Sequence, residues 1–292
     1  MSDLTLVVLA AGMGSRFGGV KQMEGLGPSG EVLLDYSVYD AIRAGFGKVV
    51  LVIRKEMEPG FRQRITRRFE DRIAVEFAFQ SMQPAPVTRD KPLGTGHALL
   101  SAAHHINGPM GVINADDFYG PSSFQLLAQS LAGMTGKSGV NIGFELEKTL
   151  SPHGGVSRAV CETCKDNFLI RIEEHTHISR TDQGIVGSFE GEARHLAPDA
   201  IVSLNLWGFG LDFLPFLREK FEQFLGALTD PQKEEFYLPT AVFQWIGERG
   251  ATVELIQSGE SWLGLTYPED TSQAAAKLGD LIARGTYPET LW

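Results

Sequence analysis

The chain has 292 residues, 43% of them hydrophobic, with 26 basic against 36 acidic residues and a net charge of −10. That size suits one large α/β domain or two small ones, and the acidic balance argues against general nucleic-acid binding. No apolar run approaches the roughly 20 residues of a membrane span. The start, Met-Ser-Asp, enters a strand without the basic region of a signal peptide, and two cysteines exclude a disulfide framework and fit a reducing cytoplasm.

Leu4 to Ala11 is an apolar run that reads as a buried first strand. It ends in Gly12-Met-Gly-Ser-Arg-Phe-Gly-Gly-Val-Lys21. Gly12 and Gly14 remove side chains where backbone must approach a ligand closely. Successive N–H groups in such a loop can form an anion-binding nest, and Arg16 and Lys21 add fixed positive charge for phosphate oxygens. A dinucleotide loop would require an acidic residue ending the second strand, but Val49 to Ile53 ends in Arg54-Lys55. The Gly-Lys-Ser/Thr of a P-loop is absent as well.

Leu33 to Ala44 predicts a helix closed by Gly45, and Lys48 to Ile53 a second strand. Then follow a basic-faced helix over Pro59 to Phe69 and a strand over Ile73 to Phe79. A helix over Gly94 to His105, a strand over Gly111 to Ala115, a helix over Pro121 to Leu131 and a strand over Gly139 to Phe144 complete the first half. This alternation implies right-handed βαβ units, a mostly parallel sheet flanked by helices, and ligands beyond the carboxyl ends of the strands.

The second half is less regular. Val156 to Glu162 and Phe168 to Glu174 read as a hairpin around Lys165-Asp-Asn167. That reading competes with a metal site for Cys161-Glu-Thr-Cys164, which has no second cysteine pair. His175 to Pro198 reads as a long loop, either a lid or a mobile surface segment. Ile201 to Phe209 is a strand, Leu211 to Leu225 and Leu238 to Glu248 are helices, Thr252 to Gln257 is a strand, and Asp270 to Ala283 is a closing helix.

Several pieces of this chain carry chemistry-bearing residues. Gly94-Thr95 opens a helix, so backbone donors and a hydroxyl face the strand ends, or serve as an ordinary cap. Asp116-Asp117 directly follows a buried strand, where carboxylates suit Mg²⁺ or a turn. Gly154-Gly155 permits close approach of a ring-shaped ligand or of another strand.

Leu9-Ala-Ala-Gly-Met-Gly-Ser-Arg16 with a lysine shortly after resembles the signature of the nucleotidyltransferases that make sugar nucleotides. The Arg16–Lys21 gap of five residues is closer to molybdopterin guanylyltransferases than to many sugar-1-phosphate members. Leu93-Gly-Thr-Gly-His-Ala98 resembles the matching segment of the bacterial N-acetylglucosamine-1-phosphate uridylyltransferases. The resemblance implies a Rossmann-like fold with a β-rich sugar-binding part, in one domain over 1–292. Its nucleotide-binding half is about 1–145 and its sugar-binding half 146–292.

The resemblance also implies roles for particular residues. Arg16 and Lys21 would be catalytic, and Ala10, Ala11, Gly12, Gly14, Ser15, Gln80, Gly94 and Thr95 would hold the nucleotide. Gly155, Glu174 and Asn205 would contact the sugar, and Asp116 would hold Mg²⁺. The substrates implied are an NTP, UTP by the Gly-Thr segment and Gln80, and a sugar 1-phosphate. No nucleic acid and no membrane are expected as partners. The chain departs from the pattern by an insertion, Ser81 to Lys91, which adds Arg89 and Lys91 as candidate phosphate contacts. It also departs by Gly264 or Thr266 where the family has a second metal carboxylate, leaving Glu269 or Asp270 as substitutes. For Glu269 a capping box starting at Thr266 is the favoured reading. Transfer to a non-sugar phosphate such as phosphocholine, and a nucleotide-sugar sensor without turnover, are the competing functions.

Overall fold

The computed structural model describes residues 4–12, 25–81, 89, 91–265 and 267–292. Four parallel strands form the first half of its sheet: β1 (Thr5–Leu9), β2 (Lys48–Ile53), β3 (Ala74–Phe79) and β4 (Met110–Asn114). β1 lies between β2 and β4, with Val7 opposite both Val50 and Val112. Its apolar run is continuous because both faces are covered. Leu6, Val8 and Ala10 pack on one side with α1 (Leu33–Ala44), α2 (Glu58–Arg64) and α4 (Pro121–Ala132). Val7 and Leu9 pack on the other with α3 (Thr95–Ser101), α5 (Phe213–Ala227) and α6 (Leu238–Arg249).

The second half continues the same sheet with antiparallel strands. β6 (Ser138–Glu145) and β12 (Thr252–Gln257) pair in parallel, and β6 runs antiparallel to β11 (Ile201–Phe209). β11 has a split partner. Its start pairs with β7 (Val156–Thr163) through Val202 and Ser203, and its end pairs with β4 through Trp207 to Phe209. Between them the register shifts, and Asn205 takes φ 61°. Asparagine tolerates this left-handed geometry better than most residues, and such bulges re-aim side chains. A two-stranded ladder, β5 (Asp117–Phe118) with β13 (Leu263–Gly264), lies beyond β4 and is followed by α7 (Asp270–Ala283). α7 packs through Ala274 and Leu278 onto Leu33, Tyr36 and Phe118.

The segment 175–198, expected to be a lid or mobile loop, is instead a β-meander. β8 (Leu169–Thr181) runs well past Glu174, and β9 (Gly184–Phe189) and β10 (Glu192–Leu196) return as hairpins. Ile178 and Ile185 are the reason: both are buried with Val156 and Val202 under the meander. Their spacing is masked in the sequence by polar residues on the open face. The turns fall at Asp182-Gln183 and at Glu190-Gly191, where Glu190 and Gly191 both have positive φ. The Cys161 and Cys164 region is a hairpin turn, with the Cys164 and Phe168 backbones bonded. Both thiols are free, and burial pushes Cys161 up to about 12. No helix among the described residues is long and apolar enough to cross a membrane.

Candidate functional site

All four parallel strands end at one edge of the sheet, and the described candidate residues of the first half lie along it. Ala10 and Ala11 are buried just past β1, where the Ala10 N–H donates to the Val52 carbonyl, and Gly12 is exposed. Gly14, Ser15, Arg16 and Lys21 lie outside the described residues.

Gln80, just past β3, is brought onto the start of α3. Its side-chain amide donates to the Gly94 carbonyl at 3.0 Å and to His97 Nδ1 at 3.2 Å. Because a carbonyl only accepts, this contact dictates which way the Gln80 amide faces. His97 Nδ1 must then be unprotonated, and burial holds the ring neutral by lowering its pKa to about 4. The ring stacks on Phe221 at 4.8 Å.

Gly94 has φ 97°, and a Cβ there would come within 2.7 Å of the Phe236 carbonyl oxygen. The two segments are laced together: Phe236 N–H donates to Leu93 O, Gly96 N–H to Phe236 O, and Leu238 N–H to Thr95 Oγ1. Gly94 and Thr95 therefore dock the start of α6 as well as capping α3. Arg89 and Lys91 serve the same docking. Arg89 is buried and donates to the carbonyls of Lys91 and Glu234, and Lys91 pairs with Glu235 at 2.6 Å.

A cavity opens where β11 passes from β7 to β4. Asn114, Asp117, Arg158, Glu174 and Asn205 line it, with Ser203 and Pro239 among the other walls. Asn114 ends β4, and its amide donates to Asp117 Oδ2 at 2.8 Å. Asn205 Nδ2 reaches Asn114 Oδ1 at 3.4 Å, and Asn205 Oδ1 accepts from the Trp207 indole at 3.2 Å. Tyr119 Oη accepts from the Asn114 N–H and donates to the Leu204 carbonyl at 2.9 Å, fixing the bulge against β4.

Arg158 is the cation of this cavity. Its guanidinium donates to Thr149 O at 2.7 Å, Thr149 Oγ1 at 3.2 Å and Ser157 O at 2.8 Å, and lies 4.4 Å from the Trp262 ring centre. Burial pushes its pKa down, against the charges of Asp117, Glu174 and Asp116. Glu174 is half-buried, and burial raises its carboxyl to about 7 despite Arg158. Burial also raises Asp117 to about 6, helped by the neighbouring Asp116 charge.

The sequence pattern places Glu174 and Asn205 in one site, and the fold brings them together. Gly155 stands nearby without lining the cavity: a Cβ on it would lie 3.0 Å from the His177 Cα. The structure adds Asn114, Arg158, His97 and Trp262, which the sequence pattern does not mark as site residues. Asn114 has a readable signal, lying two residues before Asp116 at a strand end; Arg158 has another, lying on a strand behind a glycine pair.

Asp116 and Asp117 face different surroundings. Asp117 is buried, and its Oδ1 accepts from the Trp262 indole at 2.8 Å. Asp116 is half-buried, and its carbonyl accepts from Leu265 N–H. Gly264 pairs with Asp117, so this strand does run beside the aspartates. A Cβ at 264 would lie 2.0 Å from the Trp262 ring. Asp270 is used within the protein, accepting from Ser151 Oγ at 2.9 Å and from Tyr267 N–H at 2.7 Å. This back-bond is the capping contact expected of Glu269, shifted by one residue; Glu269 is exposed, and Thr266 lies outside the described residues. One half-buried carboxylate with hard oxygens suits Mg²⁺, which commonly takes one or two protein ligands and completes its shell with water and phosphate.

Residues 6–138 match the MobA-like NTP transferase domain. The bifunctional protein GlmU of Symbiobacterium thermophilum is 35% identical over 137 residues, which are 44% of this chain and 25% of GlmU. The match thus spans about a quarter of that relative's length. The cavity residues Arg158, Glu174 and Asn205 lie beyond residue 138, outside the matched domain.

Proposed function

Starting from the match of residues 6–138 to the MobA-like NTP transferase domain, we propose that the chain joins UTP to a sugar 1-phosphate and releases pyrophosphate. The observation that carries the sugar half of this reading is the cavity beside the strand ends. Its amides, carboxylate and guanidinium, on Asn114, Asn205, Glu174 and Arg158, are the groups that read hydroxyls. UTP rests on Gln80 and the Gly94-Thr95 turn, whose docking onto one another supports a fixed base-reading edge.

In this mechanism the sugar phosphate oxygen attacks the α-phosphorus in line, and pyrophosphate leaves. No protein nucleophile is needed, so the protein's work is positioning and charge stabilisation. Ala11 to Ser15 would cradle the phosphates with backbone donors, the Ala10 N–H being bonded to Val52 and holding the start of the loop to β2. Arg16 and Lys21 would stabilise charge that builds on the α-phosphoryl and the leaving group, each such contact being worth about 10²–10³ in rate. Asp116 would hold Mg²⁺, which supplies charge neutralisation for the phosphate oxygens when bound. Glu174 and Asn205 would orient the sugar so that its phosphate meets the nucleotide.

The test is a matrix of four NTPs against a panel of sugar 1-phosphates, with phosphocholine as the non-sugar acceptor, read by pyrophosphate release. Turnover with UTP and a hexose 1-phosphate is expected. Preference for another nucleotide would overturn the base assignment; turnover only with phosphocholine would overturn the sugar; no release from any pair would leave a sensor.

A further inference from the structure

Arg158 has an unusual situation for a buried arginine. It is 8% exposed, and its three hydrogen bonds all go to neutral oxygens, two on Thr149 and one on Ser157. Among the described residues no carboxylate oxygen lies within 4.0 Å of it. A guanidinium has five N–H donors, so two remain. Glu174 lines the same cavity, and among the described residues its carboxylate accepts no hydrogen bond. A cationic donor and an anionic acceptor thus share one cavity without touching. Charges withdrawn from water are costly unless hydrogen-bonded, and a ligand group placed between these two would complete both.

We infer that Arg158 is a specificity-determining residue that donates to a hydroxyl group of the acceptor while that same hydroxyl, or its neighbour on the next carbon, donates to Glu174. A hydroxyl both donates and accepts, so it satisfies the two groups at once. A quaternary ammonium can do neither and brings a second cation toward Arg158. A carboxylate can accept from Arg158 but cannot donate to Glu174, and it adds charge beside Asp116 and Asp117. The site therefore selects an acceptor that presents neutral hydroxyls to this cavity. Trp262 holds the arrangement, carrying the guanidinium on its face and bonding Asp117 through its indole N–H.

This inference rests on the transferase reading and adds a residue and an acceptor class to it. The experiment compares wild type, Arg158→Met and Arg158→Lys on the intact hexose 1-phosphate that turns over best and on its monodeoxy analogues. Thermal melting of each variant reports folding separately. Arg158→Met is expected to raise the KM for the acceptor about tenfold or more while the KM for UTP stays within about threefold. On the one deoxy analogue that lacks the bridging hydroxyl, wild type and Arg158→Met should be nearly equal. Arg158→Lys, which keeps the charge, should recover part of the loss on the intact acceptor.

An equal penalty on every analogue, or an equal rise in the KM for UTP, would overturn the inference and leave Arg158 a structural residue. If no pair of substrates turns over, the transferase reading fails by itself. Calorimetry of hexose 1-phosphate and phosphocholine on the wild-type chain then still decides the selectivity, and binding of phosphocholine as tight as the hexose phosphate would overturn it.

Discussion

Replacing Glu174 by glutamine should make the protein more stable at neutral pH, and the gain should depend on pH. Burial raises the Glu174 carboxyl from 4.5 in the unfolded chain to about 7 in the fold. The folded chain holds this proton more tightly, so protonation favours folding. Below about pH 4.5 wild type bears no penalty; the penalty grows as the pH rises toward 7 and is constant above. Each pKa unit is worth about 1.4 kcal/mol, which sets a ceiling of roughly 3 kcal/mol. Glu174 is only half-buried, and solvent screening reduces the expected value to about 1–2 kcal/mol. The amide has the same shape and does not titrate. Urea unfolding of both proteins from pH 4.5 to 8 should show their stability difference widening by that amount in favour of Glu174→Gln. A difference independent of pH, or one largest in acid, would refute the reasoning. The same variant should bind the acceptor more weakly, because a stored cost of this kind is typical of a site kept for a ligand.

Lys21→Ala should lower turnover by roughly 10²-fold or more with melting unchanged; near wild-type turnover in a folded protein would remove its proposed role. Asp116→Asn should remove most turnover and raise the Mg²⁺ concentration needed for half-activity, and an unchanged titration would discard the metal assignment. Asp117→Asn should cost less in turnover and more in stability, about 1–3 kcal/mol by chemical denaturation. Its new N–H₂ must face either the Trp262 indole or the Asn114 amide, and both are donors. Gly94→Ala should lower the melting temperature and loosen the start of α6, measured by hydrogen exchange at Phe236 and Leu238, because Cβ meets the Phe236 carbonyl at 2.7 Å.

The parallel half of the fold is readable in the sequence because its strands are buried on both faces. Lys48–Ile53 appears as one unbroken apolar run, and Leu33–Ala44 carries a regular apolar stripe closed by Gly45. The meander is not readable, for the opposite reason. β10 is exposed along most of its length, and beyond Glu174 the buried aliphatic anchors of β8 and β9 are Ile178 and Ile185 alone, so the period-two signal fades. That Glu174 and Asn205 share one cavity is readable by their order in the chain. Arg158 is marked in the sequence only by the glycine pair before it, because the cavity it lines lies in a gap between β4 and β7 at the bulge of Asn205.

The bulge and the ladder beyond β4 together explain the composition of the site. Trp262 fills the space over Gly264, so the strand beside Asp116 cannot carry a side chain at that position. Asp270, a buried carboxylate six residues on, is spent on Ser151 and on the backbone of Tyr267. The indole that occupies the space of a side chain at 264 also carries the Arg158 guanidinium on its face. It also donates to the buried Asp117 through its indole N–H. One aromatic side chain therefore couples two features that lie far apart in the sequence: a strand that carries no side chain beside Asp117, and a cavity lined by a buried arginine. On the proposed reading a sugar 1-phosphate would suit such a cavity at both ends, bringing hydroxyls toward Arg158 and Glu174 and phosphate oxygens toward an ion on Asp116.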